Sequence, residues 1–285
     1  MPTRLAILSD IHGNLPALQA VLHDLTHYKP DHVIVVGDVI HWGPFSRECV
    51  EIVRREGWPA VRGNNEYYLL DYNTPHMPTA WRDASQWPML PWVYEQLRGP
   101  LFDVVAAWPD EISLRYLDAP PIRLTHGVPG NPWHGFYASR PSDVDQLATC
   151  AEDFLVLGHT HLQTDCRAGR WRVFNPGTVG VPLDGTHDAC YMLLDSTAFG
   201  WEPIFRRVAY DNAAIFEAFE RQGFLERCGV IGHAVLEEFR TGQIQLTPFL
   251  NWQIANCPDA TFSMDLWREF EKVDWRAYAP EAYWL

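Results

Sequence analysis

The first 61 residues alternate short apolar runs with helical patterns, and this alternation constrains the fold most strongly. Residues 4–8, 32–36 and 59–61 have the length and apolar content of short buried strands. Between them, residues 16–25 and 47–56 carry apolar side chains at helical spacing. Strands that alternate with helices predict a parallel sheet with right-handed crossovers.

The pattern changes after Tyr67. Residues 67–110 are rich in Pro and Trp and have only weak helical periodicity, which predicts a helical insertion. Strand-like runs resume after it, and the later ones are closely spaced without helices between them, which is typical of antiparallel or mixed pairing; these runs are 112–117, 122–125, 154–157, 171–174, 190–194 and 201–208. We therefore expect an α/β (α+β) fold with two β-sheets flanked by helices.

The last part of the chain is predicted to be helical. Asp211 has the character of an N-cap, and apolar residues at helical spacing follow it up to Gly223. We expect residues 1–210 to form the main domain, including the insertion at 67–110, and residues 211–285 to form a C-terminal helical appendage packed on that domain.

Composition excludes several classes of protein. The net charge is −14, which disfavours a surface for nucleic acid, because phosphate backbones bind clustered Lys and Arg. No apolar stretch approaches the length of a membrane span, and the N-terminal residues do not resemble a signal sequence. The six cysteines are scattered without a C-x-x-C pair, which indicates reduced thiols and no thiolate zinc site. We expect a cytoplasmic protein with no nucleic-acid or membrane partner, and the sequence leaves its oligomeric state open.

Five polar clusters follow the ends of predicted strands, where open α/β sheets place their ligand sites. Each cluster pairs a side chain capable of binding metal with a glycine or a tight turn; the clusters are Asp10-Ile11-His12, Gly37-Asp38, Gly63-Asn64-Asn65-Glu66, His126-Gly127 and Gly158-His159-Thr160-His161. A single Asp at a strand end usually caps a turn, and a single His-x-His is usually accidental. Five such clusters on successive strand ends predict a metal site.

In their order and spacing the clusters resemble the D-x-H, G-D, G-N-x-[D/E], H-G and G-H-x-H blocks of the calcineurin-like metallophosphoesterase superfamily. The short intervals, together with Asn175-Pro176-Gly177, resemble most the small bacterial and archaeal phosphodiesterase branch of that superfamily. The resemblance covers roughly residues 4–210 and implies its αββα fold, a two-sheet β-sandwich between helical layers.

The resemblance also implies two divalent metal ions and assigns their ligands. It places the first ion on Asp10, His12, Asp38 and His161, and the second on Asp38, Asn64, His126 and His159, so that Asp38 bridges the pair. Oxygen and imidazole ligands without thiolate suit Mn, Fe, Ni, Co or Zn. We expect Mn²⁺ to support activity in vitro. The mechanism implied is in-line attack on phosphorus by a metal-bridging hydroxide.

One position departs from the superfamily pattern. Many members have a His after the ligand Asn, where it can stabilise the transition state or protonate the leaving group, and this chain has Asn65. A carboxamide can donate a hydrogen bond but cannot deliver a proton. His41 and His134 are candidate replacement acids, and Glu66 is expected to orient the turn at 63–66.

These features favour a phosphodiesterase that acts on a small phosphoester, with nucleotide-type diesters as one possibility. A broad-specificity phosphomonoesterase would use the same site. A non-catalytic scaffold on the same fold is a third hypothesis, against which the retention of all seven ligand positions argues. A nuclease is disfavoured because the chain is acidic and has no basic, aromatic-laced stripe.

Overall fold

The computed structural model of the chain describes residues 2–280 and Tyr283. Ten strands lie among these residues: β1 (Arg4–Leu8), β2 (His32–Val36), β3 (Ala60–Val61), β4 (Glu111–Tyr116), β5 (Ala119–Thr125), β6 (Phe154–Leu157), β7 (Thr164–Ala168), β8 (Trp171–Asn175), β9 (Ala189–Thr197) and β10 (Gly200–Val208). They form two five-stranded sheets, in the orders β10-β9-β1-β2-β3 and β4-β5-β6-β8-β7. Both sheets are mixed. The expected two-sheet α/β fold is confirmed.

The α-helices among the described residues are α1 (Leu15–Tyr28), α2 (Ser46–Glu56), α3 (Asn64–Leu70), α4 (Met89–Leu97), α5 (Pro100–Ala106), α6 (Pro141–Gln146), α7 (Asn212–Arg221), α8 (Phe224–Thr241), α9 (Leu246–Asn256) and α10 (Met264–Phe270). Side-chain caps begin three of them, α1, α7 and α10, the last through the Ser263 hydroxyl, which accepts from the backbone N–H of Leu266. Asn14 accepts a hydrogen bond from the backbone N–H of Ala17 at the start of α1, and Asp211 does the same for α7. None of the described helices has the combination of length and hydropathy needed to cross a bilayer.

Strand β1 shows how the layers pack. Its side chains alternate between the two faces of the sheet, so that Leu5 and Ile7 contact one core and Ala6 and Leu8 contact another. The first core lies between the sheets and includes Phe174 of β8. The second lies under the helices. Since both faces of β1 are covered, its sequence is continuously apolar, as the buried-strand pattern predicts.

The pairing of strands fits the sequence reasoning in most places. β1, β2 and β3 run parallel, and β9 and β10 run antiparallel. The sequence reasoning missed β7, an edge strand that pairs with β8. Its residues are mostly polar and alternate between partly buried and exposed, so the run lacks the apolar signal by which the other strands were recognised.

The chain after Asp211 packs against the first half of the molecule. Ile215 and Phe219 of α7 and Phe224 of α8 belong to the same hydrophobic cluster as Leu18 of α1. Helix α8 also contains Gly229 in a non-helical conformation, with φ 54° and ψ −135°, which interrupts its regular geometry. The division of the chain into a domain at 1–210 and an appendage at 211–285 stays a prediction.

Candidate metal centre

The loops after the strands hold the candidate ligands in an unusual backbone conformation. Five of the seven adopt positive φ angles between 49° and 67°; they are Asp10, His12, Asp38, His159 and His161. Side chains other than Gly rarely occupy this left-handed region, and such strain concentrates at functional sites. The strain indicates that the conformation of these loops serves to direct the ligand side chains into one site.

The first ligand group joins the loop after β1 to the loop after β6. The Nε2 atom of His161 lies 3.2 Å from Oδ1 of Asp10 and 3.1 Å from Nε2 of His12. Nε2 of His12 is 3.7 Å from the same Asp10 oxygen. Three potential ligand atoms therefore lie close enough together to share one cation.

The second group brings four different loops together. Oδ1 of Asn64 lies 3.1 Å from Nε2 of His126 and 2.9 Å from Nδ1 of His159. Oδ2 of Asp38 is 3.2 Å from the same His126 nitrogen and 3.7 Å from Nε2 of His12 in the first group. Asp38 thus lies between the two groups, where a bridging ligand would have to be.

Backbone carbonyls orient three of the histidines. Nδ1 of His126 lies 2.9 Å from the carbonyl oxygen of Val36, and Nδ1 of His161 lies 2.6 Å from that of Val181. Nδ1 of His12 is 3.3 Å from the carbonyl oxygen of Ile40. A neutral imidazole that donates from Nδ1 presents a bare lone pair at Nε2, so all three rings direct a ligand atom into the site.

The donor set fits divalent cations. Oδ1 of Asp10 is buried without a hydrogen-bond partner, although its other oxygen accepts hydrogen bonds from the Ser9 hydroxyl and the His159 backbone N–H. The carboxamide oxygen of Asn64 and Nε2 of His126 also lie 3.1 Å apart, close enough to share one cation. A buried carboxylate oxygen without a partner is costly by itself and becomes favourable beside a cation.

Two opposing effects, burial and the charges of Asp10 and Asp38, set the pKa values of the histidines. Burial lowers the pKa of His126, but Asp38 and Asp10 oppose it more strongly and raise the pKa to about 10. Burial dominates at His12 and lowers its pKa to about 4. The two buried carboxylates therefore attract positive charge, which divalent ions would supply.

Asn65 and Glu66 hold Asp38 in place. The carboxamide of Asn65 donates to Oδ2 of Asp38 at 2.6 Å, and its backbone N–H donates to Oδ1 at 2.9 Å. Glu66 accepts backbone N–H groups from Gly63, Asp38 and Val39 at 2.6, 2.9 and 2.9 Å. Glu66 thus ties the turn at 63–66 to the loop after β2, which agrees with the orienting role expected for it.

The two candidate acids lie in different surroundings. Nε2 of His134 lies 2.8 Å from Oδ1 of Asp143, and His134 does not line the cavity at the ligand groups. His41 is buried beside Tyr68, and burial lowers its pKa to about 3, which makes it a neutral imidazole at pH 7. Because His134 does not line this cavity and His41 is neutral, neither side chain is set to deliver a proton there. Both assignments, like that of Asn65, stay predictions.

A cavity of about 240 Å³ opens over the ligand groups, and the C-terminal helices contribute to its wall. Glu238 of α8 accepts a hydrogen bond from the indole N–H of Trp42, whose ring lies 5.2 Å from that of His12. Tyr283 donates to the carbonyl oxygen of Thr160. Sequence reasoning missed Glu238 and Tyr283, because both lie outside the polar clusters and only the tertiary fold brings them to the site.

The family model of the calcineurin-like phosphoesterase superfamily domain matches residues 3–198. The chain belongs to this superfamily, as the ordered blocks indicated. The match includes every strand-end loop that carries a candidate ligand and ends before helix α7.

The chain is similar to several known proteins. It is 26% identical over 255 residues to an uncharacterized protein of Methanocaldococcus jannaschii, which covers 79% of this chain and 95% of that protein. It is 27% identical over 205 residues to the phosphodiesterase YfcE of Escherichia coli, covering 68% of this chain and 88% of YfcE. A metallophosphoesterase from Sphaerobacter thermophilus has a similar fold, with a TM-score of 0.68 at 24% identity over 85% of this chain and 100% of its own.

Proposed function

We propose that this chain is a phosphodiesterase that uses two divalent metal ions. The observation that carries the proposal is the position of Asp38 between two ligand groups, with Asp10, His12 and His161 on one side and Asn64, His126 and His159 on the other. In this site, two divalent ions would supply Lewis acidity and an activated water for in-line displacement at phosphorus.

The protein's own side chains orient the site for this chemistry. Asn65 fixes both oxygens of Asp38, and the carbonyl oxygens of Val36 and Val181 fix the rings of His126 and His161. Ligands held in this way need little reorganisation when a substrate binds. Oxygen and nitrogen donors are compatible with Mn, Fe, Ni, Co or Zn, and we propose Mn²⁺ as the ion that supports activity in vitro.

None of the three candidate residues is placed to deliver a proton, which favours diesters over monoesters. Asn65 cannot deliver a proton, His134 does not line the cavity over the ligands, and the imidazole of His41 is neutral. The similarity to a phosphodiesterase supports the same choice. We propose a small, nucleotide-like diester as the substrate, and a cytoplasmic location that fits the six free cysteines.

A paired assay tests the activity. Metal-stripped protein supplied with Mn²⁺ is expected to hydrolyse bis(p-nitrophenyl) phosphate faster than p-nitrophenyl phosphate, although both release the same phenolate. Faster hydrolysis of the monoester would instead support the phosphomonoesterase hypothesis. If neither ester were hydrolysed in a metal-dependent manner, a non-catalytic scaffold would explain the site better.

Asn65→His is expected to raise the rate on the monoester relative to the diester by about tenfold, because an imidazolium at this position can stabilise the second negative charge that a phosphate monoester carries and a diester lacks. The measurement is the ratio of kcat/KM for p-nitrophenyl phosphate to kcat/KM for bis(p-nitrophenyl) phosphate. Asn65→Ala is the control, since it removes the hydrogen bond to Asp38 without adding an acid. Equal ratios in the wild type and Asn65→His would refute the proposed effect of residue 65 on the choice between the two esters.

A further inference from the structure

A second cavity, of about 250 Å³, lies next to the cavity over the metal ligands. Trp81, Trp87 and Leu90 from the 67–110 insertion form one side, and Leu246 and Leu250 of α9 form the other. We call it the aromatic cavity. Its exposed lining is mostly apolar, which distinguishes it from the polar cavity over the ligands.

The two cavities share part of their walls. Trp42, Tyr68 and Thr247 line both of them. The Tyr68 ring lies 4.5 Å from that of Trp81 on the aromatic side and 5.0 Å from that of Trp133 on the metal side. A ligand whose phosphate lies at the metal ligands could therefore extend past Trp42 and Tyr68 into the aromatic cavity.

Trp42 is fixed as a shared wall by a buried contact. Its indole N–H donates to Glu238, whose other oxygen accepts the backbone N–H groups of Gln245 and Leu246 at 2.9 Å each. Glu238 thus links the loop after β2 to the start of α9. The same contact joins the metal site to the helices that complete the aromatic cavity.

The shape and chemistry of the aromatic cavity fit a flat ring. Aromatic side chains that surround an apolar space bind planar groups by stacking and edge contacts. His41 also lines this cavity, and its buried Nε2 atom has no hydrogen-bond partner. Pockets for small molecules usually occupy about 300–1,000 Å³, so the two adjoining cavities together, rather than either alone, match a small ligand.

We infer that the aromatic cavity binds a planar aromatic group on one arm of the phosphodiester substrate. This inference rests on the proposed function, since it takes the metal ligands as the site of the phosphate. It assigns recognition of the substrate to the 67–110 insertion and to helix α9, and it leaves the reaction itself to the metal site. The aromatic group could be a simple aryl ring or a nucleobase, which the same stacking chemistry would recognise.

Three diesters with the same p-nitrophenolate leaving group test the inference. Their second arms are methyl, phenyl and thymidine 5′-yl. With Mn²⁺ present, kcat/KM for the phenyl or thymidine diester is expected to exceed that for the methyl diester by about tenfold or more, because only these arms can stack in the cavity. A thymidine preference over phenyl would identify a nucleobase, and the reverse would identify an aryl group.

Two variants test whether the preference for an aromatic arm arises from this cavity. Leu250→Trp narrows the cavity and Trp81→Ala removes a stacking surface, so either variant should lower the aromatic preference to about threefold or less and leave the methyl diester rate within about twofold. Leu117→Trp is the matched control, since Leu117 is fully exposed in the turn between β4 and β5. Thermal unfolding of each variant verifies its fold.

The outcomes separate this inference from the proposed function. Hydrolysis of all three diesters at similar rates, unchanged in Leu250→Trp, would overturn the aromatic cavity as a recognition site and leave the phosphodiesterase intact. If no diester were hydrolysed, the proposed function would fail, and a binding measurement would then test whether the aromatic cavity recognises an aromatic group. In that case thymidine 5′-phosphate should bind metal-free protein at least about tenfold more tightly than 2-deoxyribose 5-phosphate in calorimetry, and equal affinities would overturn the inference.

Discussion

Asp38→Ala is expected to lower the Mn²⁺-dependent rate on bis(p-nitrophenyl) phosphate by about three orders of magnitude or more while the protein stays folded. The Asp38 carboxylate lies between both ligand groups, 3.2 Å from His126 and 3.7 Å from His12. Its removal would leave each ion with one ligand fewer and without a bridge. Metal chemistry provides several kcal/mol of transition-state stabilisation, and each 1.4 kcal/mol lost is about tenfold in rate.

The control for this variant is Asp145→Ala, which removes an exposed carboxylate of α6. It should retain wild-type activity and metal content. Circular dichroism and a urea unfolding curve should show that Asp38→Ala is folded, so that a lost rate reports on the site. Undiminished turnover by folded Asp38→Ala would contradict the bridging assignment.

Glu66→Ala is expected to lower the free energy of unfolding by about 3–9 kcal/mol, since each of three buried N–H groups left without an acceptor costs about 1–3 kcal/mol. The carboxylate accepts three backbone N–H groups, from Gly63, Asp38 and Val39. Urea unfolding at pH 8 with a chelator present measures the effect. Burial, together with the charge of Asp38, raises the pKa of Glu66 to about 7, so at this pH the carboxylate form dominates.

Two further variants calibrate the Glu66 result. Glu66→Gln keeps one acceptor oxygen for two of the three N–H groups and should lose only about 1–2 kcal/mol. Glu217→Ala removes an exposed carboxylate paired with Arg221 and should change stability by no more than about 0.5 kcal/mol. Equal stability of Glu66→Ala and Glu217→Ala would show that Glu66 does not tie the two loops together.

Most of the strands could be predicted from the sequence because they leave local signals, and the candidate ligands were chosen from the polar clusters that follow them. The runs that became β1, β2 and β6 are short and apolar, and the polar residues after them stand out against that background. The resemblance to the superfamily also assigned each candidate ligand to one of two metal ions. Local sequence could not show that Asp10, His12 and His161 would approach one another, although parallel strands made a common edge the reasonable expectation.

Other features of the site had no local signal. Glu238 lies in a helix with an apolar face, and only the packing of α8 against the loop after β2 brings it to Trp42. The tryptophans of the insertion have two different surroundings. Trp92 is buried against Phe224, whereas Trp81 and Trp87 line the aromatic cavity. Because aromatic side chains serve both purposes, their sequence pattern alone does not separate them.

Titration of the metal-stripped chain with Mn²⁺ tests the central claim most directly, with hydrolysis of bis(p-nitrophenyl) phosphate as the readout. The protein concentration should exceed the dissociation constant for the metal, so that the break in the curve counts bound ions. We expect no measurable hydrolysis without metal and a rate that reaches its plateau at two equivalents of Mn²⁺. A rate that does not depend on added metal, or a plateau at one equivalent, would contradict a two-metal phosphodiesterase.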